Sequence, residues 1–132
     1  MSVFVDTSAL FAVLDADDRA HPKAKETWER LLSEAHALFT TNYVLVETYA
    51  LAQRRLGLDA VEVLSTDVAP MLSVLWVGKD EHARAVAALM SARRRQLSLV
   101  DCVSFELMRQ HGIERCFAFD AHFGEQGFGE SS

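Results

Sequence analysis

Val3-Phe4-Val5-Asp6-Thr7-Ser8, followed by the apolar run from Ala9 to Leu14, is the stretch that decides the fold. Three consecutive β-branched or aromatic residues with no polar alternation predict a strand buried on both faces, as in a parallel sheet. The next run, Ala9 to Leu14, has an apolar helix pattern, and Thr7 and Ser8 supply hydroxyls suited to its N-cap. The order strand, acid, hydroxyls, helix places Asp6 at the carboxyl end of a central strand, where open α/β sheets bind ligands. Much later, Cys116-Phe117-Ala118-Phe119 runs into Asp120 in the same manner. Two strands that deliver an aspartate to one edge of one sheet make a site for something positive.

A chain of 132 residues suits one domain with a real core. Its composition, 50% apolar and 24% charged, is that of a globular protein. The apolar stretches fall short of the roughly 18 residues a membrane span needs. No basic segment followed by an apolar run opens the sequence, so the expectation is a cytoplasmic protein without an export signal. Cys102 and Cys116 lie far apart with no paired spacing, which points to two reduced, packed thiols. The net charge of −6 has the wrong sign for holding nucleic acid by bulk attraction. That weighs against a simple DNA-binding module but not against a metal-dependent nuclease. Two bound divalent cations would bring −6 to −2, at the place where phosphate must approach.

Along the chain, Asp15, Asp17 and Asp18 read as a solvated turn. A helix is expected over about 23–34, with Ala24, Trp28, Leu31 and Leu32 on one stripe, then a strand over 37–40. Asn42 is expected to cap a helix over 43–56 that Gly57 closes. Glu47 is the misfit of that helix. Tyr43 and Val44 lie one turn before it, and Ala50 and Leu51 one turn after, so its carboxylate points along an apolar stripe. A buried carboxylate without a partner is costly, so either it reaches past the core edge or it meets a cation. Asp59 is expected to cap a helix over 60–68, followed by a strand over 72–77. Asp80 is expected to cap a helix over 81–93 with Val86, Ala87, Leu89 and Met90 facing inwards.

Arg93, Arg94 and Arg95 end that helix. They read either as cations at a helix C-terminus or as a patch that steers phosphate to the site. Ser98 and Asp101 have the spacing of a capping box, a structural role that competes with a functional one for Asp101. The alternation of strands and helices predicts a single α/β domain. Its mostly parallel sheet has four to five strands and helices on both faces, over residues 1–124, with a loosely ordered tail at 125–132.

The candidate site is Asp6, Glu47, Asp101 and Asp120, four acids from four elements. Convergence without a cation would force at least one to keep its proton near neutrality. Carboxylate oxygens are natural ligands for Mg2+ or Mn2+, which acidify water for in-line attack on phosphorus. Competing chemistries lack their motifs. There is no Gly-x-Ser-x-Gly elbow and no phosphate-binding glycine loop. Ser8 occupies the position where a haloacid-dehalogenase-type phosphatase needs its second aspartate, and Thr7 denies the acidic pair of a receiver domain. The five histidines show no metal-ligand spacing; His122 lies closest to the proposed site.

The chain resembles the PIN-domain ribonucleases, and most closely the VapC-type toxins of bacterial toxin–antitoxin pairs. The resemblance rests on Asp6-Thr7-Ser8-Ala9-Leu10, Val44-Leu45-Val46-Glu47, Leu97-Ser98-Leu99-Val100-Asp101 and Phe119-Asp120-Ala121-His122-Phe123 with Gly127-Phe128. It implies that Asp6, Glu47, Asp101 and Asp120 bind Mg2+ or Mn2+, and that the Ser8 and Ser98 hydroxyls support them. It further implies endonucleolytic RNA cleavage, restraint by a cognate antitoxin, and a homodimer. A different class of function also fits the letters: a catalytically weak RNA- or protein-binding module whose acids serve as helix caps.

Overall fold

The computed structural model describes residues 1–130. In chain order its elements are β1 (Ser2–Val5), α1 (Thr7–Leu14), α2 (His21–Ser33), β2 (Ala37–Thr41), α3 (Asn42–Arg55) and α4 (Leu58–Val63). A π-helical turn (Leu64–Val68) and a 3-10 turn (Ala69–Met71) lead to β3 (Ser73–Leu75), α5 (Lys79–Ala92) and α6 (Leu99–Gln110). The chain closes with β4 (Arg115–Phe117), α7 (Ala121–Glu125) and β5 (Gly129–Glu130).

The five strands form one sheet in the order β3-β2-β1-β4-β5, and every neighbouring pair is parallel. Val3, Phe4 and Val5 of the central strand are wholly buried, as a strand covered on both faces must be. The chain winds from β1 outward through β2 to β3, then returns to the other side of β1 for β4 and β5. The order therefore reverses between β1 and β4, and a crevice opens beyond their carboxyl ends. The core is continuous around these strands, with Leu10, Leu31, Val44, Val103, Met108 and Phe117 among its members. Phe105 meets Phe123 edge-on with ring centroids 5.0 Å apart, which seats α7 on α6.

Several local expectations are corrected. Asp6 itself, not Thr7 or Ser8, caps α1, accepting the Ser8 amide. Thr41 rather than Asn42 caps α3, its hydroxyl accepting the Val44 amide at 3.1 Å. Asn42 is drawn away, its side chain accepting the Val77 amide at 2.8 Å. Gly57, at φ +97°, does close α3 as expected, its amide donating to the Ala52 carbonyl at 3.0 Å, but Asp59 lies in the first turn of α4 rather than at its cap. α5 likewise starts at Gly78 with no side-chain cap, leaving Asp80 and Glu81 inside its first turn. Its buried face is also turned from the expected one: Ala85 is buried, whereas Val86 and Met90 are exposed. α5 packs against α6, and Ala85 lies on its buried face. Of the stretch expected as a loose tail, 125–132, residues 125–130 enter the fold, and 131 and 132 lie outside the described residues. There Gly129 and Glu130 pair with Arg115 and Cys116, and Phe128 packs on the core.

Candidate active site

Asp6 follows β1 directly, and its amide donates to the Phe117 carbonyl at 3.1 Å, continuing the join between β1 and β4. Its Oδ2 accepts the Ser8 amide at 3.1 Å and the Ser8 hydroxyl at 2.8 Å. The same hydroxyl oxygen accepts the Phe119 amide at 2.9 Å, so Ser8 ties the ends of both strands together. Asp120, one residue on, caps α7 by accepting the His122 amide at 2.9 Å. Asp101 reaches the same place from α6. A complete capping box holds it: the Ser98 hydroxyl accepts the Asp101 amide at 3.0 Å, and Asp101 Oδ2 accepts the Ser98 amide at 3.3 Å.

Ligand atoms of Asp101, Asp120 and His122 lie within 4.8 Å of one another. Asp6 stands outside that tight group but within electrostatic reach of both aspartates. Burial pushes its carboxyl up to about 7, helped by the charges of Asp101 and Asp120 and opposed by the two Ser8 hydrogen bonds. Asp101 is raised as well, first by burial and then by Asp120, against the pull of Ser98 and His122.

Glu47 is placed differently. It is partly buried on α3 and makes no hydrogen bond or ion pair among the described residues. It lines an open groove with Asn42, Tyr43, Val46 and Val100, and Val100 is the chain neighbour of Asp101. The helix that carries it is tied to α1 by buried hydroxyls: Thr48 donates to the Val44 carbonyl at 2.7 Å and lies 3.3 Å from the Thr7 hydroxyl. Of the three arginines, Arg93 ends α5 in a left-handed conformation, and Arg94 forms an ion pair with Glu125 at 2.9 Å. Glu125 belongs to α7, the helix that begins after Asp120, so the basic cluster is joined to the site by that helix.

His122, named from the sequence as the histidine closest to the site but given no role there, lies within it. Its Nδ1 sits 2.8 Å from Asp120 Oδ1 and 3.7 Å from Asp101 Oδ2. The only signal was Asp-x-His after a strand, which gains meaning once α7 turns both side chains inward. Chemically, crowded carboxylates and one imidazole fit a divalent cation, offering hard oxygen donors and excess negative charge.

A parallel sheet whose switch point gathers aspartates from β1, β4 and α6 is the arrangement of the PIN domain. The sequence pattern of that domain matches residues 3–129, and the chain belongs to the PIN-domain family. It is 36% identical over 129 residues to the 23S rRNA-specific endonuclease VapC20 of Mycobacterium tuberculosis, in strains CDC 1551 / Oshkosh and H37Rv. That match covers 97% of this chain and 96% of the relative. The crystal structure of Mycobacterium tuberculosis VapC20, described as a sarcin-ricin loop cleaving toxin, matches with a TM-score of 0.83. Identity there is 34%, over 96% of this chain and 95% of the other.

Proposed function

We propose that this protein is a divalent-metal-dependent endoribonuclease, the toxin of a toxin–antitoxin pair. The observation that carries the reading is the meeting of Asp6, Asp101 and Asp120 at the switch point, where burial, with the charges of Asp101 and Asp120, pushes Asp6 up to about 7. In this reading Asp6, Asp101 and Asp120 hold the ion, and Glu47 closes the site from α3. A divalent ion there supplies charge to offset the phosphodiester and acidity for an attacking water. The chain's own residues do the rest. The Ser8 hydroxyl and the Ser98 amide hold the Asp6 and Asp101 carboxylates by hydrogen bonds at 2.8 and 3.3 Å, so little reorganisation is needed when substrate arrives. Arg93, Arg94 and Arg95 draw RNA phosphate towards an otherwise acidic molecule.

Ribosomal RNA is the substrate class we favour, because the similar VapC20 is named for cleaving 23S rRNA at the sarcin-ricin loop. The groove beside Glu47, about 350 Å³ and bordered by exposed Val46, suits a cognate antitoxin segment. Exposed apolar side chains elsewhere, Trp76 and Met90 among them, support a homodimer. One observation favours the rival reading of a catalytically weak binding module: Asp6 and Asp120 are N-caps and Asp101 completes a capping box, so each acid has a structural role. A sarcin-ricin-loop RNA hairpin incubated with Mg2+ or Mn2+ separates the two. The nuclease cuts it, and chelation or Asp6→Asn lowers the rate at least about a hundredfold, the scale at which lost catalytic groups register. Cutting that survives both changes belongs to a contaminating nuclease, and no cutting at all supports the binding module.

A further inference from the structure

The Nδ1 atom of His122 is shielded from solvent and has no hydrogen-bond partner among the described residues. Asp120 Oδ1 is near enough, at 2.8 Å, but the ring is not aligned to donate to it, and that oxygen already takes the His122 amide. An imidazole nitrogen removed from water beside two carboxylates and without a hydrogen bond is poorly compensated for its desolvation. A cation shared with Asp101 and Asp120 would satisfy all three groups at once. Neighbouring ligands of an octahedral ion with bonds near 2.1 Å stand about 3 Å apart. The separations of 2.8 and 3.7 Å from Nδ1 to the two carboxylate oxygens bracket that spacing.

We propose that His122 ligates the divalent ion directly through Nδ1, with its proton on Nε2, giving a mixed oxygen and nitrogen donor set. The inference rests on the metal-centre reading above and deepens it by naming the ion the site prefers. Mg2+ holds to oxygen and gives up water reluctantly, whereas a transition ion such as Mn2+ takes imidazole more readily. His122 therefore tilts the protein towards Mn2+.

Pulsed electron paramagnetic resonance of the Mn2+-loaded protein, paired with Mn2+ and Mg2+ titrations, tests this. The wild type should show nitrogen hyperfine coupling that disappears in His122→Ala. Mn2+ affinity should fall about tenfold or more, with Mg2+ affinity changed by less than about threefold. His122→Phe, which keeps a ring but no donor, should reproduce the loss if the alanine variant folds poorly. Bound Mn2+ without nitrogen coupling in the wild type, or equal losses for both ions, overturns the proposal and leaves His122 as a group that orients Asp120. A wild type that binds no Mn2+ at all refutes the metal-centre reading itself.

Discussion

At Asp6, burial and the neighbouring charges of Asp101 and Asp120 outweigh the Ser8 hydrogen bonds and push the carboxyl from 3.8 up to about 7. The folded metal-free protein therefore keeps a proton that the unfolded chain releases near 3.8. Between those values folding takes up a proton, so this group's contribution is fully present below about pH 4 and is lost as pH rises through 7. In thermal melts of metal-free protein, Asp6→Asn should flatten the decline in Tm between about pH 4 and 7, because asparagine cannot ionise. Identical pH profiles for variant and wild type would contradict the assignment. Both strand-end aspartates were legible in the sequence, because a short apolar run that stops at an acid has few other readings. His122 was not, since a lone histidine two residues on acquires its position only from the turn that Asp120 caps.

The helices show how one side chain serves structure and chemistry together. Asp101 closes the capping box of α6, so replacing it with alanine removes a cap and a charge at once. Asp101→Asn separates the two, because an amide oxygen still accepts the Ser98 amide. We expect Asp101→Asn to keep Tm close to wild type while metal binding falls at least tenfold. Ser98→Ala should cost about 1 kcal/mol of stability through the lost cap. A large drop in Tm for Asp101→Asn with metal binding retained would assign Asp101 to the cap alone. Elements were legible as a series, and their ends less so. Thr41 and Asn42 are both good caps, and the choice falls to a contact with Val77, remote in sequence. The face of α5 was misplaced because local apolar spacing favours Val86 and Met90, whereas the folded helix buries Ala85.

Across the whole molecule, a net charge of −6 must meet a polyanion, so the approach depends on where the few cations lie. Arg94 is held to α7 through Glu125, and Arg93 and Arg95 line the same shallow surface with Leu89, Met90 and Leu97. Replacing Arg93, Arg94 and Arg95 together by alanine should weaken RNA binding. It should also reduce the slope of log affinity against log salt by about 1 to 2. An unchanged slope would confine the three arginines to the helix end. The parallel sheet and its acidic edge were legible because strand, acid and helix recur in order. The pairing of β5 was not, since Gly129-Glu130 has no strand pattern and owes its place to β4. Anomalous diffraction from crystals grown with Mn2+ tests the central claim most directly. A peak within about 2.5 Å of carboxylate oxygens from Asp6, Asp101 or Asp120 is the expected result. No peak there, in crystals saturated with Mn2+, would contradict the metal-dependent nuclease.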